Sequence, residues 1–176
     1  MPKPRLILLG PRGSGKTTLG RGLARELRLP FVDTDAEIER AAGRTIAEIF
    51  ADEGEDGFRD RETNALRGCL ARDGILATGG GVVVRDVNRA LLMRVRCPRV
   101  LLLADPETLH ARITSDASSG LTRPALTSHV GVEEVRHLLD ERRSWYDDIA
   151  THTFDASLEE EDLLTRLVAI LNEAES

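Results

Sequence analysis

Eight residues near the start of the chain, 10–17, match the pattern G-x-x-x-x-G-K-[ST] at every fixed position. The segment 5–9 precedes them, is apolar from Leu6 onward, and predicts a buried strand. Residues 16–29 predict a helix because leucines recur every four positions. A glycine-rich loop between a strand and a helix points backbone N–H groups and the positive end of the helix dipole at phosphate oxygens. The segment therefore predicts a P-loop that binds a nucleoside triphosphate.

Individual side chains of this loop suit particular parts of such a ligand. Lys16 places a point charge near the β- and γ-phosphates, and the hydroxyl of Thr17 is suited to hold Mg²⁺. The nucleotide-binding residues that we expect here are Gly13, Ser14, Gly15, Lys16, Thr17 and Thr18. The loop does not identify the phosphate acceptor, because GTPases, nucleotide kinases, motor ATPases and small-metabolite kinases share it.

The rest of the chain alternates short strands with helical patterns. Further strands are predicted at 31–32, 75–78, 99–103 and 152–154, and further helices at 36–42, 45–52, 56–72, 88–95, 107–114, 132–149 and 158–174. Five strands separated by helices predict a three-layer αβα fold with a parallel sheet, in one domain that covers residues 1–176. Residues 115–129 are rich in Ser, Gly and Thr and lack periodicity, which favours a mobile lid.

Composition narrows the class of protein. A formal net charge of −6 argues against a general binder of nucleic acids or anionic membranes, and 3% aromatic residues argue against base stacking. The apolar run at 6–9 is too short for a signal peptide or a membrane span. Two cysteines without metal or redox spacing and four dispersed histidines fit a reducing cytoplasm.

Two segments after predicted strands are candidates for the acceptor site. In Asp33-Thr34-Asp35, both carboxylates face the crevice if the segment is extended, one toward Mg²⁺ and one toward a hydroxyl proton. Alternatively, Asp35 caps a helix that begins at Ala36. The glycines 79–81 fit either a flexible turn or a close backbone approach to a ligand.

Six motifs occur in an order that resembles the shikimate kinase family and span nearly the whole chain. They are the P-loop at 10–17, D-T-D at 33–35, F-R-x-x-E at 58–62, G-G-G at 79–81, R-P at 123–124 and R-x-x-x-Y at 142–146. The resemblance implies a P-loop fold of the nucleoside monophosphate kinase type, with a five-stranded parallel sheet. It also implies transfer of the γ-phosphoryl group of ATP to the 3-hydroxyl of shikimate, with Mg²⁺.

The resemblance also assigns roles to residues that composition alone would place on the solvated surface. It implies that Arg59 and Arg142 hold the substrate carboxylate, with Glu62 paired to Arg59, and that Asp35 binds the hydroxyls as base or orienting group. Substrate-binding helices would cover about 34–62. Backbone donors to the substrate would come from Gly79, Gly80 and Gly81, and an apolar floor from Ile46, Phe50 and Phe58.

On the nucleotide side, the resemblance implies that Asp33 supports Mg²⁺ together with Thr17. Arg112 would lie near the adenine, and Arg123 would move with the lid to contact the transferred phosphate and the nucleotide. The catalytic set is then Asp35, Lys16 and Arg123. The chain departs from the family pattern at Ala125, at Ser144 and in the segment 153–158.

Three alternatives remain open from the sequence. A gluconate-type kinase shares the P-loop but should lack the D-T-D, G-G-G and paired-arginine set. A non-catalytic sensor should have lost Lys16, Asp35 or Arg123, and all three are present. A nucleotide kinase would act on nucleoside monophosphates and not on shikimate. We expect a cytoplasmic monomer whose partners are shikimate and ATP, with no nucleic acid and no membrane.

Overall fold

The computed structural model describes residues 3–115 and 130–175. Most of the predicted lid, including Arg123, lies outside these residues. The strands are β1 Pro4–Leu9, β2 Phe31–Asp33, β3 Gly74–Ala77, β4 Arg99–Leu103 and β5 His152–Asp155. They form one sheet in the order β2-β3-β1-β4-β5, and every neighbouring pair is parallel. The predicted five-stranded parallel sheet is confirmed.

Seven helices are described. They are α1 Lys16–Leu27, α2 Thr34–Ala42, α3 Ile46–Cys69, α4 Asp86–Arg94, α5 Pro106–Ser115, α6 Val132–Ile149 and α7 Glu160–Glu175. Parallel strands require crossover connections, and the helices supply them on both faces of the sheet. No helix in the described part of the chain is long and apolar enough to cross a membrane.

The central strand β1 divides the core into two layers. Alternate side chains of a strand point to opposite faces of a sheet. Leu6 and Leu8 accordingly pack in a cluster with residues of α1 and α7, whereas Ile7 and Leu9 pack in a cluster with residues of α3, α4 and α6. All four side chains are fully buried. The result is the three-layer αβα arrangement that the sequence predicts.

A third apolar cluster joins α2 to α3. Its buried members are Ile38, Ile46, Ile49, Phe50 and Phe58. The rings of Phe50 and Phe58 stack with centroids 4.5 Å apart. Three of these residues, Ile46, Phe50 and Phe58, are those predicted to form an apolar floor near the substrate. The cluster fixes the position of Arg59 because Arg59 directly follows the fully buried Phe58.

Helix α3 was predicted as two helices, 45–52 and 56–72, and the structure shows one element with an internal break. Gly54 has φ 68° and ψ −172°, a backbone conformation that is open essentially to glycine alone. The helix begins at a capping box in which Thr45 and Glu48 satisfy each other's backbone N–H groups. The chain therefore changes direction at Gly54 without a connecting loop.

The start of α2 corrects a second prediction. The helix begins at Thr34 rather than Ala36, and its N-cap is Asp33 rather than Asp35. The carboxylate of Asp33 accepts hydrogen bonds from the backbone N–H groups of Asp35 and Ala36 at 2.9 and 3.3 Å. Asp35 consequently lies in the first helical turn, and the two carboxylates are not on one extended segment.

Candidate active site

The P-loop connects β1 to α1 and closes around the side chain of Lys16. The ammonium group of Lys16 donates hydrogen bonds to the carbonyl of Pro11 at 2.7 Å and to Ser14 Oγ at 3.2 Å. Gly13 and Gly15 lie in the same loop with φ of 79° and 84°. Lys16 is only 8% exposed. The loop therefore holds a buried positive charge at the N-terminus of α1, where a phosphate is favoured.

Thr17 and Asp33 are brought together across two elements. The hydroxyl of Thr17 donates to Asp33 Oδ2 at 2.8 Å. A hydroxyl and a carboxylate are hard oxygen donors, and Mg²⁺ in kinases is bound by one or two such groups together with water and substrate phosphates. The described residues contain no cluster of three or more His, Cys, Asp or Glu side chains that could hold a metal by themselves. This pair fits Mg²⁺ held jointly with nucleotide phosphates.

Asp35 lies against the first of the three consecutive glycines. Its Oδ1 is buried, and a Cβ atom built on Gly79 would lie 2.6 Å from that oxygen and 3.1 Å from Glu62 Oε1. The N–H of Gly79 donates to the hydroxyl of Thr34 at 2.9 Å. The glycine segment is thereby attached to the start of α2, and Asp35 is held beside it.

Arg59 is buried and shared by two glutamates. Its Nη1 donates to Glu62 Oε2 at 2.9 Å, and its Nη2 and Nε donate to Glu55 Oε1 at 3.0 and 3.3 Å. Burial opposes the charge of Arg59, but Glu62 and Glu55 outweigh it and hold the pKa of the guanidinium above its ordinary value. The predicted ion pair of Arg59 with Glu62 is therefore present.

The guanidinium of Arg59 also lies directly against Gly81. A Cβ atom at Gly81 would be 2.1 Å from Nη1 of Arg59, a separation that real atoms do not adopt. Only glycine permits this approach. The close approach at Gly81 is to an arginine of the protein, and the predicted approach of residues 79–81 to a ligand stays a prediction.

Arg142 and Tyr146 both bind the carbonyl of Gly80 from α6. Arg142 Nη1 donates to this oxygen at 3.3 Å and the Tyr146 hydroxyl at 2.5 Å. Arg142 Nε is buried and has no hydrogen-bond partner among the described residues. Burial lowers the pKa of Arg142, Tyr146 opposes this effect, and the charge of Arg59 adds to the lowering. A half-buried cation with a buried, unused donor is suited to bind an anionic ligand.

One cavity of about 210 Å³ connects the two arginines to the P-loop. Its lining includes Arg59, Arg142 and the glycines 80 and 81, together with Pro11 and Arg12 of the P-loop. Its remaining wall comes from Tyr146 and from α5, Gly131 and α6, with His110, Ile113, Gly131, Glu134, Val135, Leu138 and Leu139. An acid bound at the arginines would lie beside a nucleotide phosphate on the loop.

The remaining predicted residues lie on the nucleotide side or outside the described chain. Thr18 is exposed in the first turn of α1. Arg112 lies on α5 near the end of β5, where its charge adds to hydrogen bonds from Ser157 in lowering the pKa of Asp155. The position of Arg123 is not described.

Two residues of the site were not given a role from the sequence. Glu55 binds Arg59, and Tyr146 binds Gly80 one helical turn after Arg142. Both lie four positions from an arginine on the same helix, the spacing at which helical side chains meet. That spacing was visible in the sequence and would have identified them.

Comparison with known proteins agrees with this geometry. A family model described as "Shikimate kinase" matches residues 12–172. The chain is 40% identical to shikimate kinase 2 of Enterobacter sp. (strain 638), over 94% of each chain, and 38% identical to shikimate kinase 2 of Sodalis glossinidius, over 93% of this chain and 92% of that one. The structure is similar to that of shikimate kinase from Acinetobacter baumannii in complex with shikimate, with a TM-score of 0.87, 36% identity and coverage of 98% and 94% of the two chains. This chain belongs to the shikimate kinase family of ATP-dependent kinases, as its six motifs predict.

Proposed function

We propose that this kinase transfers the γ-phosphoryl group of ATP to the 3-hydroxyl of shikimate and releases shikimate 3-phosphate and ADP. The observation that carries the proposal is one cavity lined both by the two arginines, Arg59 and Arg142, and by the P-loop. A small acid that carries a hydroxyl group fits between them. The similar protein from Acinetobacter baumannii was solved with shikimate, which supports this choice of acid.

The substrate carboxylate binds the two guanidinium groups. Arg142 offers its unused Nε donor, and both arginines are planar forks that match a carboxylate in geometry and charge. Burial strengthens these contacts because less water competes for the charges. Gly80 and Gly81 bring backbone N–H groups to the same ligand, and Gly79, whose N–H donates to Thr34, supports them beside Asp35.

Asp35 orients the acceptor hydroxyl. It lies beside Gly79, at the carboxyl end of β3, and the P-loop follows the adjacent strand β1. A carboxylate at this position accepts the hydroxyl hydrogen bond, directs the oxygen toward the phosphoryl group and receives the proton as the new bond forms. The transition state is loose, so positioning supplies much of the rate.

Charge on the transferring group is stabilised from the nucleotide side. Lys16 lies at the centre of the P-loop, and Thr17 and Asp33 would hold Mg²⁺, which neutralises negative charge on the phosphates when it is bound. Arg123 contacts the transferred phosphate and the nucleotide, and Arg112 lies near the adenine. The segment 115–129 acts as a lid that excludes water, a competing phosphate acceptor.

The same proposal covers the organisation of the chain. Residues 1–176 form one kinase domain with substrate-binding helices at about 34–62. It acts as a monomer in the cytoplasm, with shikimate and ATP as its partners and no nucleic acid or membrane. The negative formal charge of −6 supports the absence of polyanionic partners.

An ADP-release assay tests the function. Mg-ATP is supplied with shikimate, quinate, gluconate or AMP, and wild type is compared with Asp35→Asn and Arg123→Ala. We expect turnover with shikimate alone and loss of turnover in both variants, by roughly 10³-fold for Arg123→Ala. Turnover with gluconate or AMP instead would identify a different kinase. Binding of shikimate without ADP release would indicate a sensor.

A further inference from the structure

Arg59 is not free to receive a substrate in the substrate-free protein. Glu62 binds its Nη1, and a single oxygen of Glu55 binds both its Nε and its Nη2. A guanidinium has five N–H donors, and Nε and Nη2 together form an edge that binds a carboxylate with two parallel hydrogen bonds. Glu55 already occupies that edge with a carboxylate of the protein.

The other edge of the same guanidinium is covered by the backbone. The Cβ position of Gly81 lies 2.1 Å from Nη1 and 2.7 Å from Nη2, so the chain at Gly81 leaves no room for a ligand on that side. An acid that binds Arg59 through two hydrogen bonds must therefore use the Nε and Nη2 edge. It can do so only after Glu55 has left.

The two glutamates differ in how readily they can leave. Glu62 is fully buried, and its departure would remove the buried partner of Arg59, whereas the side chain of Glu55 is 51% exposed. Glu55 directly follows Gly54, whose backbone lies outside the helical conformation. Rotation of Glu55 into water therefore breaks its ion pair with Arg59 but moves no buried carboxylate.

We propose that Glu55 is a placeholder for the substrate carboxylate. It occupies the carboxylate-binding edge of Arg59 in the empty site, holds the guanidinium in position, and is displaced into solvent when the acid binds. This inference rests on the proposed function because it takes the ligand of Arg59 to be a carboxylic acid. Glu55 is a positioning residue, and it lowers the affinity for anionic substrates through competition.

Competition also affects selectivity. The departure of Glu55 makes this end of the cavity more positive by one charge, and only an anionic ligand compensates for that change. A neutral analogue, such as the methyl ester of shikimate, gains nothing from the departure and does not displace Glu55. The placeholder therefore separates carboxylic acids from neutral polyols of the same shape.

The test is a calorimetric titration without nucleotide, combined with steady-state kinetics. Wild type, Glu55→Gln and Asp56→Asn are titrated with shikimate, quinate, gluconate and methyl shikimate. Asp56 is the matched control, since it is an exposed neighbour of equal charge that makes no described side-chain contact with Arg59. We expect Glu55→Gln to tighten binding of the acid about three- to fivefold, because the lost ion pair is half exposed on its glutamate side. KM should fall by the same factor, with kcat within about twofold of wild type.

The outcomes distinguish failure of the placeholder from failure of the proposed function. Asp56→Asn should change the acid's affinity by less than about twofold, and Glu55→Gln should leave methyl shikimate unaffected. Equal or weaker acid binding by Glu55→Gln would overturn the placeholder, as would equal tightening by Asp56→Asn or an absence of acid binding to every variant. Tightening of quinate or gluconate without any binding of shikimate, or tightening without ADP release from wild type, would support the placeholder and refute the proposed function.

Discussion

The hydroxyl of Thr17 donates a 2.8 Å hydrogen bond to Asp33 Oδ2 across sixteen positions of sequence. The other carboxylate oxygen of Asp33 accepts the backbone N–H groups that begin α2. One side chain thus joins the first turn of the nucleotide helix α1 to the helix that carries Asp35. If Asp33 holds Mg²⁺ as proposed, a change at Asp33 affects both the metal and the structure, and two substitutions can separate the two effects.

Replacement of Asp33 by asparagine should affect metal use and spare the fold. Asparagine caps a helix about as well as aspartate, so we expect the free energy of unfolding to change by less than about 0.5 kcal/mol. The Mg²⁺ concentration for half-maximal activity should rise on the order of tenfold, because the negative charge is lost. Asp33→Ala should show the same metal effect and lose about 1 kcal/mol of stability as well. Equal Mg²⁺ requirements for wild type and Asp33→Asn would show that Asp33 has no part in metal binding.

Replacement of Arg142 by glutamine should impair substrate binding without weakening the fold. Burial lowers the pKa of this arginine, so the folded protein gains little from its charge. We expect KM for shikimate to rise roughly 10- to 100-fold, the range for lost hydrogen bonds to a charged group, with less than about 1 kcal/mol change in unfolding free energy.

The matched control for Arg142 is the next residue. Arg143 is exposed and binds Asp147 at 2.8 Å, so Arg143→Gln should change KM by less than about twofold. Steady-state kinetics and urea unfolding of both variants measure these effects. Equal increases in KM would mean that general charge, and not a bound carboxylate, explains the role of Arg142.

Replacement of Gly81 by alanine should displace Arg59. The new Cβ would lie 2.1 Å from Nη1, so the guanidinium must move away from its place in the cavity. We expect a loss of about 1–3 kcal/mol in unfolding free energy together with a raised KM for shikimate. Gly68→Ala is the control, because no atom lies within 4 Å of its Cβ position and alanine should stabilise α3 by about 0.5–1 kcal/mol. An unchanged KM in Gly81→Ala would contradict the close packing described for Arg59.

The stability of the protein should depend on pH through a charge cluster made of Glu37, Arg40 and Arg72. Hydrogen bonds from Arg72 and Arg40 lower the pKa of Glu37 from 4.5 to about 2. Because the folded pKa is the lower one, this contribution is fully present above about pH 4.5 and is lost as the pH falls toward 2. Glu37→Gln should therefore cost about 1 kcal/mol at pH 7 and nothing near pH 2.

Chemical unfolding at several pH values measures the effect of Glu37→Gln. Glu26→Gln removes an exposed carboxylate with no described ion pair and should show no such dependence. A constant difference between wild type and Glu37→Gln at pH 7 and pH 3 would show that the arginines do not perturb Glu37.

Sequence patterns predicted the elements well where one signal dominated. Strand β4 and helix α6 have the predicted bounds. An apolar run that follows Arg99 defines the first, and a long amphipathic pattern defines the second. The start of α2 was wrong because Asp33 and Asp35 are both good caps. The contact with Thr17, which only the folded chain creates, distinguishes them.

The site could be predicted as a set of residues but not as a set of contacts. Family resemblance identified Arg59 and Arg142, and nothing local in the sequence distinguished them from surface arginines. Their difference is spatial: Arg59 has two carboxylate partners, whereas Arg142 has a buried Nε without one among the described residues. Burial and pairing depend on elements distant in sequence, such as Gly81 beside Arg59, and these emerge only from packing.

The P-loop, Asp33 and the three glycines lie at the carboxyl ends of β1, β2 and β3, respectively. The connections that precede β2, β3, β4 and β5 lie at the opposite end of the sheet, where these strands begin. They contribute none of the residues discussed for binding or catalysis. The end of the sheet at which the strands begin is consequently the side on which such a protein can acquire extra loops, tags or fused domains during evolution or engineering. Sequence variation can accumulate there while the chemistry at the carboxyl ends of the strands is preserved.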